Sequence, residues 1–569
     1  MTTVTSSLGE LADEYWQAYL AFSPVSATSI GDRRFDDRMD DPSPEAIDAY
    51  RGRLAGFREQ VESIDPAALD GADAVTRSAL IAQIASDVAG LETGLEQWAV
   101  DPLEGPQVIA LDLEAIQPIA NAEQARAMVD RWHALGPWLD EHAANVRRGL
   151  ASGRVAVRTP VARAVDQIDE ILRRPDAELP LLKPLAVEHP DWPAADREAF
   201  AEGLRSAVAG VIRPALERYG AVVRDEILPA ARPDERAGVL HVEGGQEAYR
   251  KLIRVHTSLD LSPDEIHRIG LDEVARIDAE LAELGGRVLG TADSEAIRSR
   301  LRSDPALHFA SRDDVFATAE DALGRARAAI PQWFGLLPAA ECVVVRMGEH
   351  EEKHSTIAYY RQPAVDGSRP GQYYVNTYAP ETRPRYEAEA LAYHESIPGH
   401  HLQIAIGQEL TDLPEFRKHL GPTAFFEGWG LYTERLSDEM GLYSGDLDRI
   451  GILSFDGWRA CRLVVDTGIH ALGWSRQRAI DFMTAHTALA ANNIANEIDR
   501  YIVWPGQALA YKIGQLEILR LRAEARAAAG RGFDIRAFHD AVLGHGAVGL
   551  ETLREVVSSG PAFGKVDAT

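Results

Sequence analysis

The stretch YEAEALAYHESIPGHHLQI, residues 386–404, decides how this chain is read. It places His394, Glu395, His400 and His401 within eight residues. Neutral imidazole is a common metal ligand. A Glu directly after a ligating His can sit beside the metal unligated and take a proton from metal-bound water. Zinc hydrolases often carry H-E-x-x-H, because residues i and i+4 share one helix face. Here the run is H-E-S-I-P-G-H, so the second His arrives two residues late. At about 100° per residue, His400 falls on the far side of a straight helix from His394. Pro398 and Gly399 stand between them. Pro inside a helix removes a hydrogen bond and clashes with the preceding turn, and Gly tolerates unusual backbone angles. A bulge or kink there is expected to absorb the extra residues and bring His400 round to His394. His401 is the alternative ligand. It lies on the right face of a straight helix, but about 10.5 Å further along it.

A third protein ligand is expected in TAFFEGWGLYTERL, residues 423–436. Phe425, Phe426, Trp429 and Leu436 suit a buried helix, and Glu427 sits among them. A charge is rarely buried without a partner, and a metal would supply one. Arg435 or another cation is the competing partner. Glu434, seven residues on, shares the face of Glu427 two turns away and can orient a ligating His from behind. His394, His400 and Glu427 then form the two-His, one-Glu set of catalytic zinc sites. The competing reading of 386–404 is a helix break whose histidines cap or hydrogen-bond.

Five segments resemble the bacterial family called domain of unknown function 885. They are YYVNTYAP (373–380), YHESIPGHHLQ (393–403), FFEGWGLYTE (425–434), DTGIHALGW (466–474) and RYIVWPGQALAYKIGQ (500–515), with weaker agreement at 14–32. That family is similar to a distant branch of the glutamate-zincin peptidases, alongside angiotensin-converting enzyme, thimet oligopeptidase and the thermostable carboxypeptidases. The resemblance implies His394, His400, Glu427 and Glu434 in that order. It also implies an edge strand that holds extended substrate, and a late-chain oxyanion donor. Tyr511 is the first choice for that donor and Tyr501 the reserve. The inserted pair of residues before the second His is the departure from the pattern.

Of the 569 residues 46% are hydrophobic and 26% charged, an ordinary globular composition with ample length for a large core. Against 88 Asp and Glu stand 59 Lys and Arg, leaving a net charge of −29. Such a surface repels nucleic acid and anionic membranes, so neither partner is expected. Cys342 and Cys461 lie in apolar runs and are expected as buried free thiols. The start, MTTVTSSLGELADEYWQAY, has neither the basic end nor the apolar run of a secretory signal, and a cytoplasmic location is expected.

Helix formers dominate residues 7–230, with periodic stretches at 44–64, 72–98, 121–151, 159–174 and 193–226. Ser43-Pro44 and Ser262-Pro263 read as capped helix starts. Pro and Gly cluster at 227–247, the best boundary between an N-terminal helical lobe (1–230) and a metal-binding catalytic region (231–569). A loop within one continuous domain fits as well. Residues 340–347, 355–362 and 371–379 read as strands. His350 and His354, in the acidic stretch before the second of these, read as solvated. Asn376 is a candidate for bonding a substrate amide, or for a turn at the strand end. Asp466 and His470, spaced i, i+4, form either a carboxylate–His pair facing a cleft or a structural pair. Arg500 and Lys512 are candidates for binding the C-terminal carboxylate of a substrate.

The expected fold is mainly α: two helical lobes around a deep cleft, with a small sheet beside the metal helix. The expected protein is a zinc metallopeptidase with one zinc per chain. His394, His400 and Glu427 hold the metal, Glu395 is the base, and short peptides are the substrate, with action as an oligopeptidase or a carboxypeptidase. A non-peptide amide is the second expectation, and a catalytically silent metal-binding or ligand-binding protein the third. Substrate length, oligomeric state and the choice among zinc, cobalt and manganese stay open.

Overall fold

The fold is that of a computed structural model, described over residues 2–348, 352–353, 356–364, 367 and 369–559. His350, His354 and the tail 560–569 lie outside the described residues. Helix takes 72% of the chain, so the fold is mainly α. Capping chemistry sets several helix starts. The Ser43 side chain accepts from the Ala46 amide ahead of Pro44–Ser63. Ser262 and Glu265 form a reciprocal capping box ahead of Pro263–Val288.

The three expected strands form one mixed sheet, β1 (Cys342–Arg346), β2 (Ala358–Arg361) and β3 (Gly371–Val375), in the order β1-β3-β2. β1 runs parallel to β3, and β2 antiparallel to it. The sheet sits against the segment that follows the metal helix. Tyr360 of β2 has its hydroxyl 3.0 Å from His401 Nδ1. A Cβ on Gly371 of β3 would lie 2.4 Å from the same nitrogen, so only glycine lets β3 come this close.

The cores do not divide at residue 230. The main core joins residues 8–98 to 237–557, and two smaller clusters lie within 100–231. Tyr15 packs edge-on to Phe416 at 5.7 Å, and Arg417 Nη1 donates to Thr76 Oγ1 at 3.0 Å. The first helices thus share one core with residues 237–557. The 227–247 segment is an ordered loop within this body. Arg232 ties it by donating from Nη1 to the Arg236, Ala237 and Gly238 carbonyls, and Gly244 makes its turn at φ 72°.

Four helices carry the site: the metal helix (Ala388–Glu395), the glutamate helix (Thr423–Glu439), the arginine helix (Asp446–His470) and the tyrosine helix (Ala510–Ala529). The glutamate and tyrosine helices cross at glycines. A Cβ on Gly428 would lie 2.5 Å from Gly514 backbone, and one on Gly514 would lie 2.0 Å from the Ala424 carbonyl oxygen. A buried ionic hub locks the glutamate, arginine and tyrosine helices to Pro263–Val288. Asp456 binds Lys512, and also Arg435 Nε at 2.8 Å, while Lys512 Nζ lies 3.0 Å from Glu273. Burial alone would raise the Asp456 pKa, but the Lys512, Arg435 and Arg276 cations hold it well below the usual carboxylate range. Asp456→Ala leaves Lys512 buried with one carboxylate fewer. We expect it to lower unfolding stability by about 3 kcal/mol, read as a shifted denaturant midpoint. A shift within about 0.5 kcal/mol, the ordinary range for surface substitutions, would show that the hub does not fix these helices.

Candidate metal centre

The metal helix ends at Glu395, and a new helix, His400–Glu409, begins at His400. The kink expected at Pro398-Gly399 is a full break over 396–399, containing a cis Ile397–Pro398 bond. The break is held from both sides. Trp429 Nε1 donates to the Pro398 carbonyl at 2.9 Å, and the His401 amide donates to the Ser396 carbonyl at 3.0 Å. Gly399 is needed here. A Cβ would lie 1.9 Å from the His394 carbonyl oxygen and 2.4 Å from that of Tyr393.

The break brings His394 and His400 together, their rings 4.7 Å apart and nearly perpendicular. Glu427 completes the group. Its Oε2 lies 3.5 Å from His394 Nε2 and 3.7 Å from His400 Nε2. Donor atoms of all three residues fall within 4.8 Å of one another. These spacings are long for hydrogen bonds. They approach the roughly 3.3 Å that separates ligand atoms about 2.05 Å from a tetrahedral zinc. Arg435, the competing partner for Glu427, pairs instead with Asp456 and Glu280.

Glu434 is wholly buried and accepts from His394 Nδ1 at 2.8 Å. That hydrogen bond fixes the tautomer and leaves His394 Nε2 facing Glu427 and His400. Gly430 makes room for the ring, since a Cβ there would lie 2.7 Å from His394 Cε1. Burial would push the His394 pKa down, but hydrogen bonds to Glu427 and Glu434 and the charges of Glu434 and Glu395 raise it to about 9. Glu427 is held well below its usual range. Burial opposes this, and the bonds and charges of the two histidines outweigh it. Glu395, Glu427 and Glu434 set three formal negative charges around the two imidazoles, a donor set suited to a divalent cation. His400 Nδ1 is buried with no hydrogen-bond partner.

His401 is turned away from this group. Its Nε2 donates to the Ala340 carbonyl at 3.1 Å, which leaves Nδ1 to accept from Tyr360. Burial pushes its pKa down to about 4. Both nitrogens are occupied, and of the two histidines it is His400 that faces His394 and Glu427.

Several other expected residues are committed elsewhere. Asp466 and His470 do not pair. Asp466 accepts from the Tyr249 hydroxyl at 2.6 Å and the Gly506 amide at 3.2 Å. His470 donates from Nε2 to the Tyr501 carbonyl at 2.9 Å and accepts from the Val239 amide at 3.3 Å. Burial, chiefly, pushes His470 down to about 3, so it is a neutral structural residue rather than a proton carrier. Asn376 donates to the Glu352 and Thr356 carbonyls at 2.7 and 2.9 Å and accepts from the Tyr378 amide at 3.0 Å, the turn alternative. The buried Tyr501 hydroxyl donates to Glu497 at 2.6 Å and accepts from Trp458 and Arg462. Lys512 is wholly buried in the Asp456 hub, and Arg500 binds Glu497 at 2.9 Å and Gln507 at 3.2 Å.

Tyr511 is placed differently. The charges of Glu427 on one side and of Arg462, Arg500 and Arg459 on the other act on its hydroxyl, after burial, which raises its pKa most. Its ring centre lies 4.3 Å from Arg462 Cζ and 6.0 Å from Arg459 Cζ. Arg459 and Arg462 escaped the sequence reading. Their only signal there is WRACRLVV, two cations three residues apart beside an apolar run.

A separate cavity of about 670 Å³ lies between the N-terminal helices and residues 416–423 and 547–555. Its lining includes Tyr50, Asp87 and Phe416 and none of the metal candidates.

This chain belongs to the family described as bacterial proteins of unknown function, domain of unknown function 885, which matches residues 24–557. It is similar in structure to a candidate lipoprotein from Colwellia psychrerythraea, with a TM-score of 0.89, 26% identity and 98% of each chain covered. A candidate lipoprotein of unknown function from Shewanella oneidensis shares the fold, with a TM-score of 0.77 and 17% identity over 97% of this chain and 100% of that one. No curated protein matches the chain. No helix among the described residues is long and apolar enough to cross a membrane.

Gly430→Ala is expected to push the His394 ring off its position and lower zinc affinity at least about tenfold, the scale of lost second-sphere support. Gly407→Ala, where a Cβ meets open space, serves as the control. Equal zinc affinity in both variants, measured by competition with a chromophoric chelator, would show that the ring is not held by this contact.

Proposed function

We propose that this protein is a zinc metallopeptidase that hydrolyses amide bonds of short peptides. The observation that carries the reading is the meeting of His394, His400 and Glu427 at tetrahedral-edge spacing, with Glu434 behind His394. Those three residues would hold the metal, one per chain. Zinc, when bound in such a set, supplies a Lewis acid and makes water more acidic.

Glu395 follows a ligand directly, is half-buried, and makes no hydrogen bond or ion pair among the described residues. Its free carboxylate accepts the proton of the attacking water and passes it to the leaving amine. The Tyr511 hydroxyl, close enough to Glu427 to feel its charge, donates to the oxyanion as it develops. The His400 and Glu427 side chains keep 13% and 22% exposure, while His394 keeps 4%, so solvent reaches the group from one side. This one-sided access supports entry through a cleft between helical lobes, which admits short peptides and excludes folded proteins. The description of the Colwellia relative as a candidate lipoprotein favours an extracytoplasmic place over the cytoplasmic one expected from the chain start.

Elemental analysis tests the metal first. About one zinc per chain is expected for wild type and for His401→Ala, and none for His400→Ala. A wild-type protein that takes up no metal when zinc is supplied would overturn the reading. Glu395→Gln should keep its zinc and lose at least about 100-fold in turnover on a panel of short peptides, the lower end of a general base's contribution. Cleavage of N-acyl small amides alone would move the substrate class and keep the chemistry. Zinc bound with no turnover on any amide would leave a silent metal-binding protein.

A further inference from the structure

Beside Tyr511 the arginine helix presents an excess of buried cation. Arg459, Arg462 and Arg500 all act on the Tyr511 hydroxyl. The buried Glu387 feels the charge of Arg459 without bonding it, and the one carboxylate paired with this group among the described residues is Glu497. It pairs with Arg462 at 3.1 Å and Arg500 at 2.9 Å, and also accepts from Tyr501. Arg459 has no hydrogen-bond or ion-pair partner among the described residues. It is 6% exposed, and its Nε and Nη1 are buried and unpaired. Arg462 Nη1 and Arg500 Nε are unpaired as well. What holds Arg459 in place is aromatic packing, against Phe455 at 4.6 Å and Trp458 at 4.5 Å. Stacking of this kind orients a guanidinium and leaves its planar edge free for a bidentate anion.

A buried guanidinium without an acceptor is costly. Three guanidinium groups with Glu497 as their one paired carboxylate among the described residues, within a chain of net charge −29, mark a place suited to an external anion. The Tyr511 ring lies against Arg462 and Arg459, and the charge of Glu427 acts on the Tyr511 hydroxyl. An anion held by Arg459 would therefore belong to the same molecule whose amide lies over the metal ligands. The planar fork matches a carboxylate, and a peptide always offers one at its C-terminus.

We propose that Arg459, aided by Arg462 beside Tyr511, binds the substrate's free carboxylate and makes this protein an exopeptidase that acts from the C-terminus. The proposal rests on the metallopeptidase reading and replaces Arg500 and Lys512 in the role of carboxylate clamp. Acidic side chains carry the same chemistry, so the test separates the two sources.

The probes are N-acetyl-trialanine as free acid, its C-terminal amide, and N-acetyl-Ala-Ala-Glu with its C-terminus amidated. Binding to zinc-supplied Glu395→Gln, which leaves peptides intact, is measured by calorimetry. The free acid is expected to bind at least tenfold tighter than either amide. Adding Arg459→Met should abolish that preference at unchanged zinc content. Equal binding of free acid and trialanine amide, or binding of neither, overturns the subsite, and this comparison needs no change at Arg459. Tight binding of the Glu amide alone overturns the C-terminal assignment. A free-acid preference that Arg459→Met leaves intact in a folded protein overturns the role of Arg459. Acid preference in a protein that binds no zinc would sink the metallopeptidase reading while leaving the carboxylate subsite standing.

Discussion

The candidate site depends on one place where the backbone passes another strand of itself with no room for a side chain. At Gly399 the chain comes within van der Waals contact of the Tyr393 and His394 carbonyls. Any Cβ would overlap an oxygen there, so glycine alone permits the reversal. The reversal ends one helix at Glu395 and starts another at His400, turning a six-residue spacing that cannot serve one metal into a pair of facing imidazoles. Trp429 reaches across from the glutamate helix to hold the break through the Pro398 carbonyl. The residue that fixes the break thus sits two positions from Glu427, the third donor.

Two more close approaches carry this outward. Gly430 lets the His394 ring lie against the glutamate helix, where Glu434 can orient it. Gly428 and Gly514 let the tyrosine helix cross the same helix at backbone contact, which sets Tyr511 beside Glu427. Side-chain polarity then divides the surroundings. Carboxylates gather at the histidines, ion pairs close the Asp456 hub, and Arg459 and Arg462 pack against the Tyr511 ring.

The residues that fell out of the candidate site share a physical reason. His470, Asp466 and Lys512 are polar residues with partners far away in the chain. His470 answers to Val239 and Tyr501, Asp466 to Tyr249, and Lys512 to Glu273 and Asp456. A buried polar group must be paired, so each reads as functional until its distant partner is found. Arg459 is the reverse case. In sequence it is one of three arginines in Asp446–His470, and what distinguishes it is that it has no hydrogen-bond partner among the described residues.

By itself the sequence determined the mainly helical class, the three short strands, the capped starts at Ser43 and Ser262, and the choice of His394, His400 and Glu427 as a candidate group, which the fold brings within 4.8 Å of one another. Those are local patterns: periodicity, alternation, cap chemistry and a dense His-Glu motif, each read over a few neighbouring residues. It left open which of His400 and His401 faces His394, because a break with non-helical angles at Ser396 and Gly399 has no periodicity to follow. Only the tertiary structure decided that, by pinning His401 between Ala340 and Tyr360. It also decided that the first helices share the core of the metal-binding region, and that Arg459 rather than Lys512 is unpaired. These outcomes depend on contacts between residues tens to hundreds of positions apart, where composition and spacing carry no register.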